Sequence, residues 1–431
     1  MLPFFVVKSL PLIKSCVIIN DAMKNEQRVR YGAYAINVSM SVVANFSPLL
    51  FLTFRSLYGL SYSLLGLLVL VNFCTQLLID LIFSFFSHKF NIEKTVKFTP
   101  VLTVLGFLTF ALVPYFYPQF AYIGLLIGTV IAAASSGLAE VLISPLIAAL
   151  PAENPEREMS KLHSVYAWGV VAVILIGTLY LLAFGGENWF WLAIGFIAFP
   201  LLACALFCGA KLPTMQTPEK TSGALAYFKE KRLWLCVVAI FLGGASECTM
   251  GQWSSSYLEQ ALHIPKVWGD VFGVALFGFA LGLGRTLYAK YGKNIEKILL
   301  LSAIGAAACY LVAALSPVPA IGLLACALTG FCTAMLWPGS LVVASDKFPT
   351  GGVFIYAMMA SGGDLGASVG PQLVGLVADG VISAPWSAGL AETLGLGVEE
   401  LGMKAGMLTG LIFPLLAILV FTILYKQRKR G

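Results

Sequence analysis

The chain is short of charge. Only 11% of its 431 residues are Asp, Glu, Lys or Arg, against about 25% in an ordinary soluble domain. Histidine is nearly absent, with three copies. No Ser/His/Asp set, no His-x-x-x-His pair and no phosphate-binding glycine loop can be assembled, so the common catalytic constellations are missing. The nine cysteines include no Cys-x-x-Cys, and nearly all fall in apolar stretches, where Cys acts as a small apolar residue. Neither a disulfide framework nor a metal site is expected. Period-2 alternation is lacking too, which excludes a membrane barrel.

What fills the chain is apolar. Hydrophobic residues make up 59%, and the mean hydropathy is +0.88. A helix needs ~20 apolar residues to cross ~30 Å of hydrocarbon. Twelve such runs can be marked, at roughly 32–54, 62–86, 97–116, 120–149, 161–184, 188–209, 233–257, 269–289, 298–315, 319–345, 353–380 and 403–425. The expected fold is an all-α membrane protein of twelve transmembrane helices in two six-helix bundles.

Basic residues set the orientation. With both termini inside, the outer loops hold only Arg55, Lys266 and Lys404 of the 27 Lys and Arg. Both termini are therefore expected to be cytoplasmic, in a plasma membrane. The net charge of +6 has the same origin and points to no nucleic-acid partner. Residues 1–22 are a broken apolar run that makes a poor spanning helix and a poor signal peptide. They are expected to be a dispensable extension, within an N-terminal cytoplasmic segment 1–30.

The longest inner loop divides the helices six and six. The expected domains are bundles at 31–210 and 233–425, a cytoplasmic linker at 211–232 and a tail at 426–431. Internal similarity supports duplication. Asn-Ile-Glu-Lys occurs at 91–94 and again at 294–297, each time after the second helix of its half. Gly137 and Pro145 of the fourth run have the spacing of Gly330 and Pro338 in the tenth.

These features resemble the major facilitator superfamily. The stretch LGLGRTLYAKYG at 281–292 is similar to that family's short signature at the end of helix 8. The matching place after helix 2 departs from it, with Ser84 for the expected Gly and Ser87 for the expected Asp. Within the superfamily, SGLAEVLISPL with Glu140, KLHSVYAWG with His163, and GASECTMGQWSSSYL with Glu247 and Trp253 resemble the fucose and glucose/galactose permease-like branch. That resemblance implies a sugar carried together with a cation, usually H+. It also raises His163, otherwise a satisfied interface residue, to a candidate solute contact. The acid that the branch carries on helix 1 is missing here.

Polar residues inside the runs mark a candidate site. Asn37, Ser41 and Asn45 recur at four-residue spacing, as do Asn72, Gln76 and Asp80, and again Asp364, Ser368 and Gln372. Each trio shares one helix face, and a face so polar belongs against the bundle interior. Glu140, Glu247 and Asp364 are expected near mid-depth, Glu140 roughly 15 Å from the inner edge at ~1.5 Å per residue. No Lys lies in the interior to neutralise them. Reversible protonation would let them carry H+, the only coupling ion or cofactor expected. Asp80 and Arg285, near inner helix ends, are candidate gate residues. Asn37, Asn45, Asn72, Gln76, Gln252, Trp253 and Trp337 are candidate solute contacts, because flat rings beside amides suit sugars.

The reading is proton-coupled uptake of a small polar solute such as a sugar, by a monomer in lipid. Export of amphiphilic or cationic compounds is the alternative. A receptor or membrane enzyme is the remaining class, disfavoured by the lack of a soluble domain or catalytic set.

Overall fold

The computed structural model describes residues 23–86, 89–151, 155–214, 229–348 and 352–428, with the side chains of a few helical positions left out. Residues 1–22, Ser87 and most of the expected linker lie outside the described residues. Among those described, every regular element is helical.

Among the described residues, ten helices are long and apolar enough to cross a membrane. An eleventh span is bent by 50° where α1 (Asn25–Leu49) meets α2 (Phe51–Tyr58), just past Pro48. A shorter apolar helix, Trp168–Phe184, falls where the fifth run was read. Each of the twelve runs therefore has its helix. The protein is an integral membrane protein of the all-α type.

The elements then run α3 (Tyr62–Phe86), α4 (Ile92–Phe116), α5 (Ala121–Ala148), α6 (Pro155–Phe184), α7 (Trp189–Phe196) and α8 (Ala198–Phe207). After them come α9 (Lys231–Leu262), the short α10 (Lys266–Trp268) and a wide-turn segment Gly269–Ala275, which leads into α11 (Leu276–Tyr291). The chain ends with α12 (Ile295–Leu315), α13 (Pro319–Thr333), α14 (Leu336–Lys347), α15 (Gly352–Ile382), α16 (Ser387–Leu394), α17 (Val398–Gly410) and α18 (Ile412–Arg428). Hydropathy alone did not show the breaks at Leu50, Ala334 and Leu411, nor helix α16, which is short and half polar.

Both Asn-Ile-Glu-Lys copies open a helix. Asn91 caps α4 by accepting from the Lys94 amide at 3.0 Å. Asn294 adopts a left-handed conformation at φ 57° before α12.

The chain packs as two compact units. As far as they are described, the first unites Met1–Ala44, Leu78–Val170 and Phe190–Glu219. The second unites Asn45–Leu77, Val171–Trp189 and Lys220–Gly431. These units cut across the chain halves read from the sequence, because parts of the first, second and fifth spans pack with the later helices.

In the first unit, Val29, Ile36, Phe83, Leu142, Leu146 and Phe207 share one apolar cluster. Buried Arg28 donates to the Leu206 and Cys208 carbonyls at 3.2 and 2.5 Å, satisfying the end of α8. Helices α4 and α5 approach closely at Gly106 and Gly128, and Thr103 and Ser135 hydrogen-bond between them at 2.6 Å.

In the second unit, α9 lies against α15. A Cβ on Gly366 would strike the Phe241 carbonyl, and one on Gly244 would come within 2.5 Å of the Gly363 carbonyl. Small residues are what allow the two backbones to meet.

Candidate functional site

In the first unit, Asp80 and Glu140 come together. Their carboxylate oxygens lie within 4.8 Å of each other. Asp80 is buried at the lower end of α3, and Glu140 is exposed on α5. The exposed apolar stripe of α5 is Ile123, Ile127 and Val130. At about 100° per residue, Glu140 is turned roughly 105° from that stripe. Its exposure is therefore not toward lipid, as the cost of a carboxylate in hydrocarbon requires. Asn37 is buried in the same unit and donates its amide to the Leu162 carbonyl at 2.6 Å. Ser41 donates to the Tyr166 carbonyl at 2.8 Å, so the stripe of α1 meets the backbone of α6. His163 sits on α6 at a position whose side chain is not among those described.

In the second unit, Glu247 is not left without a counter-charge. Arg285 reaches it from α11, with Nη2 at 3.1 and 3.3 Å from the two carboxylate oxygens. Its Nε donates to the Ala334 carbonyl at 3.1 Å, at the break between α13 and α14. The sequence placed Arg285 near the inner end of its helix, apart from the mid-depth acids. Its side chain is long enough to close that distance. Asp364 is buried on α15, and both it and Glu247 act on the Cys248 thiol.

The first half of α3 packs against α15 through Gly66 and Cys74. The Cys74 thiol lies 3.6 Å from the Ser368 hydroxyl, and a Cβ on Gly66 would be 3.0 Å from Gln372 Oε1. Asn72 and Gln76 are buried on α3. Asn45 is half-buried at the end of α1 and Gln252 is buried on α9.

The two candidate tryptophans differ. Trp253 is wholly enclosed, and its indole N–H goes to the Pro371 carbonyl at 2.9 Å. Phe51 and Tyr62 pack on it at centroid distances of 4.9 and 5.9 Å, so no ring face is open. Trp337 is half-buried, and its ring edge fits against Gly244 and Gly363.

Three charged contacts went unread in the sequence. Asp379 at the end of α15 accepts from the Tyr62 and Ser63 amides at 3.1 and 2.6 Å. Arg55 pairs with Glu399 at 2.6 Å and lies 4.2 Å over the Tyr62 ring. Asp270, enclosed in the wide-turn segment, accepts from Thr178 at 2.8 Å and from Lys266 at 3.1 Å, and from Ser255. The only signal for them was an acid or base close to a helix end. Lys404, read as an outer-loop residue, lies within α17 and pairs with Glu400 at 2.8 Å.

Among curated proteins no match to the chain is found. Solved structures share the fold at low identity. The transporter PepTSo, of the POT family, aligns at TM-score 0.72 and 13% identity over 95% of this chain and 99% of its own. The nucleoside transporter NupG aligns at 0.69 and 12%, over 94% and 100%. The E. coli fucose:proton symporter FucP aligns at 0.58 and 15%, over 93% and 98%. The Major Facilitator Superfamily model matches residues 33–371, so the chain belongs to the major facilitator superfamily.

Proposed function

We propose that this protein is a secondary active carrier that takes up a small polar solute together with protons. The observation that carries the reading is the Asp80–Glu140 pair, two carboxylates within 4.8 Å inside membrane-spanning helices. Both charged, they repel each other, and one proton held between them relieves that repulsion. Glu140 is accessible and Asp80 enclosed, so a proton can enter from water at Glu140 and be retained by the pair.

In this reading, chain halves 31–210 and 233–425 rock to expose the site to each side in turn. Both termini are cytoplasmic, in a plasma membrane, as the basic residues imply. Monomers suffice, because each chain holds both halves. A sugar is the first solute to test, on the sequence resemblance. The names of the structural neighbours cover fucose, nucleosides and the POT family, and so favour no one class.

The test is Glu140→Gln in reconstituted vesicles. Solute accumulation driven by a pH gradient should be lost, while solute exchange without a gradient persists. Unchanged accumulation would remove Glu140 from the coupling.

A further inference from the structure

We infer that the solute carries a carboxylate, bound by Arg285; this rests on the carrier reading and names the substrate class of its site. Arg285 spends Nε on the Ala334 carbonyl and Nη2 on Glu247. Its Nη1, with two N–H donors, has no protein acceptor among the described residues. Even so, the side chain is 43% exposed.

That exposure is not toward lipid. The exposed apolar stripe of α11 is Phe279, Leu283 and Leu287. Arg285 lies roughly 160° around the helix from it, at about 100° per residue. A half-exposed guanidinium at this depth belongs in water. There is also room beside it. Gly278 and Gly282 fall within roughly 60° of Arg285 on the same face. A Cβ built on either would meet no atom within 4 Å. An open strip of helix thus leads to a cation whose outer edge is free.

The chemistry selects the occupant. A guanidinium edge offers two parallel donors, and its matching partner is a planar acceptor-only group, a carboxylate. An apolar platform for a sugar ring is not offered by Trp253, which is enclosed. Trp337 presents only part of its ring, a few residues past Ala334. A carboxylate, such as that of a sugar acid, satisfies the arginine.

The same geometry ties binding to a proton. Among the described residues the charged group paired with Glu247 is Arg285 from α11, and Asp364 from α15 lies close enough to act on the neighbouring Cys248 thiol. When Glu247 takes a proton it becomes neutral, and Arg285 keeps its charge for the incoming carboxylate. Protonation of Glu247 thus favours binding of a monoanion at Arg285, while the proton that is carried with the solute remains that of the Asp80–Glu140 pair.

The experiment uses the purified full chain. Thermal shifts are recorded with gluconate, galacturonate and short hydroxycarboxylates, against glucose and galactose, at mildly acidic and mildly alkaline pH. Counterflow of the same compounds is measured in vesicles. Carboxylates should stabilise the protein and neutral sugars should not, with tighter binding at acidic pH. Glu247→Gln should abolish that pH dependence. Arg285→Gln should weaken carboxylate binding about tenfold or more. Gly282→Leu, which fills the open strip and leaves the ion pair alone, should do the same in a protein that still folds. Neutral sugars binding as well as acids, indifference to Arg285→Gln and Gly282→Leu, or no response to any carboxylate would overturn the inference. Carboxylate binding without counterflow would instead overturn the carrier reading. Counterflow of neutral sugars alone would spare that reading and sink the inference.

Discussion

Replacing Asp379 by Ala should loosen the seam between α3 and α15 by an amount the structure lets one estimate. The first turn of a helix has four amides with no partner inside the helix. In α3 all four are satisfied from outside it. Tyr62 and Ser63 donate to Asp379, Leu64 to the Ser61 hydroxyl at 3.3 Å, and Leu65 to the Ser61 carbonyl at 3.1 Å. The alanine variant strands two of them and removes a negative charge from the positive end of the helix. A lost cap costs about 1 kcal/mol, and two bonds to one carboxylate bring the total to about 1–3 kcal/mol. A conformational equilibrium that makes this contact in one state only would shift by about 5- to 150-fold. Cys74 reports on it, because its thiol sits against Ser368 on the same seam. In a variant keeping Cys74 alone of the nine cysteines, alkylation by a polar maleimide should speed up by a comparable factor. The melting temperature should fall at the same time. Unchanged alkylation and melting would show that Asp379 contributes nothing to holding the seam, and the capping account would fail.

Other outcomes follow from single contacts. Trp253→Phe keeps the ring packing and loses the bond to the Pro371 carbonyl, so stability should drop by about 1 kcal/mol in thermal melts with KM unchanged. A raised KM would instead make Trp253 a solute contact. Gly366→Val should abolish folded yield in detergent, because its side chain has no space against the Phe241 carbonyl, whereas Gly278→Ala should melt at or above the parent temperature. Asp270→Asn leaves Lys266 without its enclosed counter-charge, and should destabilise the protein by about 3 kcal/mol or more in denaturant or thermal unfolding.

The spans were legible in the sequence because hydropathy reports on the solvent each helix faces. The run at 62–86 became α3 with the same limits. Helix breaks were not legible, since Ala334 and Leu411 carry no breaker residue of their own. The packing units were hidden for a different reason. Which helix the outer part of α3 leans on depends on Gly66 meeting Gln372 and on Asp379 meeting Tyr62, pairs far apart in sequence. Glu140 and Glu247 looked alike as acids in apolar runs. Their neighbours set them apart, a second carboxylate for one and a guanidinium for the other. The reach of Arg285 from a lower turn of α11 is a side-chain property that counting residues along a helix does not capture. Trp253 looked like a solute platform because Gln252 and serines flank it, yet the fold spends its ring on Phe51 and Tyr62.

Proton movement on solute addition tests the central claim most directly. Vesicles holding the purified protein, with a pH-sensitive dye outside, are given solute in the absence of any gradient. The external medium should turn alkaline as solute and protons enter together, and Glu140→Gln should abolish the signal while solute still exchanges. Solute entry with no alkalinisation in the parent protein would contradict the account.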